Sequence, residues 1–349
     1  MNIFDLFKLA VKENASDLHL MSNMPPVLRI NGKLVRTNIT PLKGEEIKQL
    51  LYQNILTEEH IARFENDLEL DFSTYIPDVC RVRVNVHRQR GSIEAAFRLI
   101  TYKIRTIKEL GLPEVVAEFA RRPDGLVLIT GPTGVGKTTT LAAIIDLINS
   151  EREAIMISIE DPIEYIHKNK KSIIKQREVY SDTHSFAEAL KRALRQDPNV
   201  IVVGEMRDLE TIAITLTAAE TGHLVLATLH TPNATSSIDR IIDVFPPHQQ
   251  AQVRIEVADT LQGVISQQLL PKVDGSGRVA ACEILIATPA IRNLIREGKS
   301  SEIATYMQTS QQMGMRLMDN SLKELYEKRQ ISYDVARIRM RHPEELERK

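Results

Sequence analysis

Apolar and polar residues follow a helical repeat at the start of the chain and a strand repeat further on. One helical face of the opening segment collects five apolar residues: Ile3, Leu6, Phe7, Ala10 and Val11. This spacing predicts a short amphipathic helix that docks on its own domain. The segment VLRINGKLV then places Asn31-Gly32 between two apolar runs, and this dipeptide accepts the positive φ angles of a tight turn. A hairpin is therefore predicted there.

A strand with one basic face follows two helical patterns at 45–55 and 58–64. Over 79–87 apolar and polar residues alternate, so the strand buries one side and exposes the other. The polar side carries Arg81, Arg83, Asn85 and His87. The alternation recurs at 93–99, where Arg98 joins the polar side. Mixed helices and antiparallel hairpins predict an α+β domain of roughly a hundred residues.

A second domain follows the stretch RTIKELGLPEVV, which is punctuated by glycine and proline. We place the boundary near Leu112, which gives an α+β domain at 1–112 and a second domain at 113–349. In the second domain strands and helices alternate: LVLIT, a helix at 137–148, AIMISIE, a helix at 186–195, NVIVVG, a helix at 209–220 and HLVLATLH. This order predicts an α/β domain with a parallel sheet covered by helices on both faces. After about Asp243 the pattern is mainly helical to the carboxyl end.

Composition and charge exclude several classes of protein. The chain is 43% apolar and 26% charged with a formal net charge of -1, so as a whole it does not attract nucleic acid or anionic membranes. Cys80 and Cys282 are too few for a disulfide framework or a CxxC zinc site, and we interpret them as core residues in a reducing cytoplasm. The sequence shows neither a signal peptide nor an apolar run long enough to cross a bilayer. A cytoplasmic protein is expected.

The strongest chemical signal is GPTGVGKT, which fits the phosphate-loop pattern GxxxxGKT. The loop lies directly between the apolar strand LVLIT and a helical pattern, which is the context that such loops require. We expect backbone amides to face the phosphates, Lys137 to neutralise the β and γ oxygens and act in catalysis, and the Thr138 hydroxyl to ligate magnesium. The predicted nucleotide contacts are Gly131, Pro132, Thr133, Gly134, Val135, Gly136, Lys137, Thr138 and Thr139.

Acidic residues follow two of the apolar strands. Glu205 comes directly after the strand in NVIVVGEMRD, where a carboxylate holds magnesium through water or polarises the attacking water. We predict Glu205 to be the catalytic base. Glu160, Asp161 and Glu164 follow the strand AIMISIE; we expect Glu160 to ligate magnesium, Asp161 to contact nucleotide and Glu164 to act in catalysis. A charged turn before Pro162 explains this second cluster equally well.

Two histidines, His223 and His230, bracket the strand HLVLATLH. Their separation of seven residues puts them on opposite faces of a regular strand, so they are not an obvious metal pair. We predict that both contribute to the nucleotide site by sensing the γ-phosphate or neighbouring acids. A structural role at the strand ends is the alternative.

Four motifs in this order resemble the secretion ATPases of type II secretion and type IV pili. GPTGVGKTT resembles their Walker A motif, SIEDPIEY their Asp box, VIVVGEMRD their Walker B motif and HLVLATLH their His box. The resemblance implies a RecA-like P-loop ATPase domain, preceded by an α+β domain that is similar to the PAS-like domain of that family. Four ordered motifs are far more specific than one phosphate loop.

The chain resembles the pilus-retraction branch of that superfamily in particular, because AIRNLIREGK at 290–299 is similar to the AIRNLIR motif of that branch. Core packing explains its apolar stripe, Ile291, Leu294 and Ile295, about as well. Extension and type II secretion members carry a tetracysteine zinc module, which two distant cysteines cannot build. Those members are the alternative, followed by a RecA-like DNA-dependent ATPase or a small-molecule kinase. Near-neutral charge and the absence of tryptophan argue against DNA.

The resemblance implies a homohexamer that hydrolyses ATP to ADP with magnesium to power pilus retraction. The nucleotide would lie between one RecA-like domain and the PAS-like domain of the next subunit, and we hypothesise that Arg81 and Arg98 act there on a neighbour's γ-phosphate. A solvated sheet face explains these arginines equally well. The implied partner is an inner-membrane pilus platform protein, with an accessory retraction ATPase as a further candidate. No direct contact with nucleic acid is expected, and the membrane is reached only through the partner.

Overall fold

The computed structural model describes residues 2–30, 32–77, 79–100 and 104–346. These residues form two compact units. The first unit comprises the described residues up to Ile100 together with Glu164–Ile166, and the second takes the remainder from Ile104. The boundary that we placed near Leu112 from the sequence lies within the second unit.

The first unit is an antiparallel sheet with helices packed on its apolar face. Its described helices are α1 (Ile3–Lys12), α2 (Gly44–Asn54) and α3 (Glu58–Asp67). Its described strands are β1 (Asp17–Leu20), β2 (Val27–Ile30), β3 (Lys33–Arg36), β4 (Glu69–Ile76), β5 (Cys80–Gln89) and β6 (Ser92–Ile100), in the spatial order β3-β2-β1-β6-β5-β4. Strands β2 and β3 pair as the predicted hairpin requires; Asn31 of its turn lies outside the described residues.

Alternating burial explains how this sheet and its helices hold together. Val82 and Val86 of β5 are fully buried, whereas Arg83 between them is exposed. Phe7 of α1 meets Phe97 of β6 edge to face, with 5.0 Å between the ring centroids. Burial of each such side chain contributes about 1.5–3 kcal/mol. The apolar face of the sheet and the helix α1 therefore stabilise each other.

The second unit is a mixed sheet between two layers of helices. Its described strands are β7 (Gly125–Thr130), β8 (Ile155–Glu160), β9 (Ile173–Glu178), β10 (Val200–Val203), β11 (Leu224–Leu229), β12 (Leu261–Pro271) and β13 (Arg278–Ile286). Their spatial order is β13-β12-β7-β11-β10-β8-β9, and every neighbouring pair is parallel except the antiparallel pair β12 and β13. Leu126 and Leu128 of β7 join the core on one face, while Val127 and Ile129 join the core on the other.

The helices of the second unit are mostly short. Those described are α4 (Val115–Ala120), α5 (Lys137–Glu151), α6 (Phe186–Ala193), α7 (Leu209–Glu220), α8 (Ala234–Asp243), α9 (Pro247–Thr260), α10 (Pro289–Arg296), α11 (Ser300–Thr309), α12 (Met318–Glu327) and α13 (Tyr333–Arg339). Two 3₁₀ turns lie at Gln311–Met313 and Pro343–Leu346. Across the described residues, none of the helices combines the length and the apolar character that crossing a membrane requires.

The prediction of a mainly helical chain after Asp243 was wrong for two long segments, which form β12 and β13. Strand β12 pairs in parallel with β7, and β13 pairs with β12. Polar residues such as Gln262 and Ser266 interrupt the apolar run of β12, so the sequence shows no clean period of two. The long-range pairing with β7, rather than a local pattern, decides that this segment is a strand.

The two cysteines lie in different units, and both are buried. Burial raises the pKa of Cys80 to about 11 and the pKa of Cys282 to about 12. Both thiols therefore stay protonated at neutral pH and pack as small core residues, as their interpretation from the sequence expected.

Gly263 is a position in β12 where a side chain has no room. A Cβ atom built there would lie 2.2 Å from Cζ of the buried Phe119. We expect Gly263→Ala to lower the free energy of unfolding by roughly 1–3 kcal/mol, because the ring must shift within a packed core. Chemical denaturation of the full chain measures this loss.

A second substitution, Phe119→Leu, tests the cause of that loss. The smaller side chain should relieve the contact, so the double variant should lose less stability than the two single variants added together. Additive losses would contradict the steric explanation.

Candidate active site

The phosphate loop turns sharply between the buried strand β7 and the helix α5. Gly131 has a φ of 135°, and a Cβ atom on it would lie 2.6 Å from the carbonyl oxygen of Gln267. Gly136, at the start of α5, has a φ of 92° and makes no side-chain cap. The amino terminus of α5, an end of a helix that favours anions, therefore adjoins the loop directly, and only glycine fits where the loop passes β12.

The other loop residues follow in the order that the motif predicts. Pro132, Thr133 and Gly134 are exposed, Val135 is buried, and Thr138 and Thr139 lie in the first turn of α5. Lys137 is buried, and its Nζ donates to the carbonyl oxygens of Gly131 at 2.7 Å and Pro132 at 3.2 Å. The ammonium group therefore lies over the loop, beside the amides that would face a phosphate.

Strand β12 supports the loop from the side. The hydroxyls of Thr130 and Ser266 lie 2.7 Å apart where β7 ends beside the longer strand β12. Gln267 Nε2 donates to Thr140 Oγ1 at 2.9 Å, which ties β12 to the first turns of α5. Sequence reasoning missed Ser266 and Gln267, because it expected a helix in this segment and no local motif marks them.

Glu205 and His230 extend the site along the same edge of the sheet. His230 Nε2 lies 3.2 Å from Glu205 Oε1, and His230 Nδ1 lies 3.3 Å from the hydroxyl of Thr133 in the loop. A ring with its proton on Nε2 donates to the carboxylate and accepts from the hydroxyl. The neighbouring parallel strands β7, β11 and β10 thus bring these three residues together, because parallel strands end at one edge.

Arg207 is a second partner of Glu205 that sequence reasoning missed, although GEMRD contains it. Its guanidinium donates to Glu205 Oε2 at 2.6 Å. Burial acts to raise the pKa of Glu205, but Arg207 and His230 outweigh it and hold that pKa below its ordinary value. The pKa of Arg207 is raised, first by Glu205 and also by the charge of Asp161, so Asp161 lies near this pair. Glu205 is therefore ionised at neutral pH, as a base must be.

The acids after β8 separate into different environments. Glu160 is buried, and its Oε1 accepts hydrogen bonds from Ser158 Oγ at 2.6 Å and Gln176 Nε2 at 2.9 Å. Asp161 is exposed. Glu164 is exposed too and belongs to the segment that is grouped with the first unit. The second unit alone thus places Glu160 and Asp161 at the strand edge, and the catalytic role of Glu164 stays a prediction.

His223 occupies the opposite end of β11 from His230. Its carbonyl oxygen accepts from the amide of Gly125, where β7 begins, while the phosphate loop follows the other end of β7. Six residues of strand span about 20 Å. His223 Nδ1 lies 2.9 Å from the carbonyl oxygen of Ala218 near the end of α7. The structure thus brings His230 to the loop and places His223 at the far edge of the sheet, away from the loop of its own chain, and the predicted part of His223 in the nucleotide site stays a prediction.

The arginines proposed from the basic strand lie in the first unit. Arg98 is 71% exposed at its side chain, and its Nε donates to Asp17 Oδ1 at 3.1 Å. Arg81 lies on β5 opposite Ile100 and Tyr75 of the neighbouring strands, and it is half-buried. Their hypothesised role at a neighbouring subunit's phosphate stays a prediction.

A family model described as type II/IV secretion system protein matches residues 3–337. The chain belongs to this family. The type IV pilus retraction ATPase PilT of Pseudomonas aeruginosa is 49% identical over 344 residues, which cover 99% of both chains. The twitching motility protein of Neisseria gonorrhoeae is 44% identical over 345 residues, covering 99% of this chain and 92% of its own. A crystal structure of the pilus retraction motor PilT with bound ADP matches with a TM-score of 0.92, at 48% identity and complete coverage of both chains.

These similarities confirm three of the predictions made from the sequence. The chain is a relative of the pilus-retraction ATPases within the type II/IV secretion family. Its fold is the RecA-like P-loop fold with an amino-terminal α+β domain, and its enzyme class is ATP hydrolase. In this member of the family, the four motifs fall at the edge of one sheet, except for the histidine at the start of HLVLATLH and the end of SIEDPIEY from Glu164, which is grouped with the first unit.

Arg207→Ala should change how ATP hydrolysis depends on pH. Removal of the cation raises the pKa of Glu205, so the carboxylate becomes protonated, and unable to accept a proton, at a higher pH than in the wild type. The acidic limb of the profile of kcat against pH should therefore shift to higher pH. Rates above about pH 8 should differ less, because Glu205 is ionised in both proteins there.

The matched control for this pH profile is Arg207→Lys, which keeps the positive charge. Its acidic limb should lie between those of the wild type and the alanine variant. An alanine variant with an unchanged acidic limb would show that Arg207 does not hold Glu205 ionised during turnover.

Proposed function

We propose that this chain is the ATP-hydrolysing motor that powers retraction of a type IV pilus. The observation that carries this proposal is the hydrogen-bonded chain from Thr133 of the phosphate loop through His230 to Glu205. It joins the part of the site that would hold the phosphates to the group that would activate water. Identity with PilT extends over almost the whole chain rather than over the loop alone. This full-length similarity supports pilus retraction as the work that hydrolysis drives.

The residues of the site suggest how ATP is held and cleaved. Amides of the loop and of the first turn of α5 bind the phosphate oxygens, and Lys137 neutralises their charge. Glu205, ionised between Arg207 and His230, accepts a proton from the attacking water. His230 links the position of Glu205 to that of the loop, because one ring nitrogen contacts Glu205 and the other contacts Thr133.

Magnesium fits the oxygen donors that the strand edge offers. Thr138 contributes a hydroxyl, and Glu160 and Glu205 contribute carboxylates at the ends of β8 and β10. The carboxylate of Glu160 is already oriented by Ser158 and Gln176. Such a hard-oxygen set suits magnesium, which takes one or two protein ligands beside phosphates and water. When bound, the ion would neutralise charge on the phosphate oxygens.

The motif helix α10, which contains the sequence AIRNLIR, offers a route from this site to the pilus machinery. Ile291 and Ile295 are buried, so the helix is fixed to the second unit. Arg292 donates to the carbonyl oxygens of Ala258 and Asp259 at the end of α9. Helix α9 leads directly into β12, which supports the phosphate loop. Movement of the loop would reach α10 through these contacts.

The working form that we propose is a homohexamer in the cytoplasm. Each nucleotide would lie between the RecA-like domain of one subunit and the amino-terminal domain of the next, where Arg81 and Arg98 would stabilise the transition state. The motor would act on an inner-membrane platform protein and would reach the membrane only through that partner, with an accessory retraction ATPase as a second candidate partner. ATP binding and release would shift each subunit between two arrangements of its domains.

Cells that carry Lys137→Ala should assemble pili that they cannot retract. Loss of the buried ammonium should abolish turnover while the fold is kept, because the charge serves the phosphates rather than the core. The measurement is surface piliation and movement by imaging, with purified protein assayed for ATP hydrolysis and thermal unfolding. Lys191→Ala, which removes an exposed lysine bonded to Glu210, is the control and should behave as the wild type.

Deletion of the gene separates retraction from extension. Excess surface pili without movement support a retraction motor. Bald cells would mean that the chain drives extension instead, and ATP hydrolysis stimulated by DNA would favour a nucleic-acid motor.

Mixed hexamers test whether Arg81 or Arg98 acts on a neighbouring subunit. Homohexamers of Arg98→Ala and of Lys137→Ala should each hydrolyse ATP slowly. In a mixture, an Arg98→Ala subunit supplies an intact phosphate loop and its Lys137→Ala neighbour supplies the arginine, so part of the activity should return. Arg81→Ala is tested in the same way, and ATPase rates across mixing ratios provide the measurement.

Arg88→Ala is the matched control for this experiment, because Arg88 lies on the same sheet and, like Arg98, is paired with a carboxylate, here that of Glu65. It should leave the rate unchanged. If no activity returns on mixing, or if Arg81→Ala and Arg98→Ala homohexamers are fully active, the arginines do not act across the interface.

A further inference from the structure

A buried carboxylate on the edge strand β13 joins two helices that lie outside the four motifs. Glu283 lies on β13 and is only 6% exposed. Its Oε1 accepts a hydrogen bond from the amide of Ala234 at 2.8 Å, and its Oε2 accepts one from the amide of Met318 at 3.3 Å. These amides are the first residues of α8 and α12. One side chain thus caps the amino termini of two helices.

The cap matters because the residue that precedes α12 supplies none. That residue, Leu317, offers no side-chain acceptor. Burial raises the pKa of Glu283, against the opposing effect of the two amides and of the charge of Arg341. A carboxylate in a buried position is costly unless its oxygens are satisfied, and here each oxygen has a helix terminus as its partner.

Helix α8 connects this cap to the active site. Only three residues separate His230, which contacts Thr133 and Glu205, from Ala234. The loop between them is fastened to the first turn of α8, because Thr231 Oγ1 lies 2.6 Å from Ser237 Oγ. The position of α8 therefore sets the position of His230.

The sheet places Glu283 in line with the phosphate loop. Ser266 of β12 is the register partner of Glu283 on one side and of Thr130 on the other. The hydroxyls of Thr130 and Ser266 are hydrogen-bonded, and Thr130 directly precedes the loop. The root of the loop and the cap of α8 are thus held by one row of residues across three strands.

We propose that Glu283 is a positioning residue for ATP hydrolysis, which holds α8, and with it His230, against the phosphate loop while joining them to the carboxyl-terminal helices α12 and α13. The inference rests on the proposed ATPase function. A wild-type hexamer without turnover would overturn that function, whereas the outcomes below concern Glu283 alone in an active protein.

Glu283→Gln tests the proposal, because a glutamine side chain has one acceptor oxygen and cannot cap both helices. We expect kcat to fall roughly tenfold while KM for ATP stays within about twofold, since Lys137 and the loop amides are unchanged. In a His230→Ala background the same substitution should cause little further loss, because it acts through His230. Retained kcat in the folded variant, or a loss that adds fully to that of His230→Ala, would overturn the proposal.

Asp319→Asn is the matched control. Asp319 is another buried carboxylate of this region, and the hydrogen bonds that it accepts come from the amides of Arg341 and His342 rather than from α8. This variant should lose stability on thermal unfolding but keep its kcat within about twofold. An equal loss of kcat in both variants would mean that general loosening of the carboxyl-terminal helices, and not the cap on α8, is responsible.

Ala234→Pro provides a second variant if Glu283→Gln does not fold. Proline is tolerated at the first position of a helix and lacks the amide that donates to Glu283, and the preceding Asn233 already has the extended backbone that proline requires. It should lower kcat with KM for ATP retained. Met318→Pro removes the amide on α12 instead, and equal effects of the two proline variants on kcat would contradict a specific link to His230.

Discussion

The close passage of the phosphate loop over β12 is the constraint on which the site depends. A side chain at Gly131 would collide with the carbonyl oxygen of Gln267, so only glycine allows the loop backbone to turn this close to β12. This approach fixes the direction in which the loop amides and Lys137 point. The same strand is bonded to Thr140 of α5, so the loop is held at both its root and its far end.

Electrostatics at the strand edge follow from this rigid arrangement. Glu205 is partly buried, which alone would favour its neutral form. Arg207 and His230 reverse that preference by direct contact, although Arg207 is largely exposed and its charge is screened by solvent. Position therefore counts for more than the strength of the ion pair, because the carboxylate is held next to the loop by two hydrogen-bonded neighbours.

Conversion of hydrolysis into movement requires contacts that leave the nucleotide site. Two such contacts originate near the loop and end on helices outside the four motifs. Arg292 joins the motif helix α10 to the end of α9, and α9 continues into β12. Glu283 joins α8 to α12. Similarity to PilT over the whole chain is consistent with a motor in which these outer helices matter as well as the loop.

The sequence by itself determined the phosphate loop, the strands and helices that flank it, the basic face of β5 and the family, because each of these depends on short-range spacing. It missed β12 and β13, and it did not reveal Ser266, Gln267 or the cap made by Glu283. It named Arg207 only as part of a motif. It also could not show that His230, rather than His223, lies beside the phosphate loop. These features were decided by the tertiary structure, since strand order and the direction of parallel strands determine which distant residues meet at one edge, and no local pattern encodes that meeting.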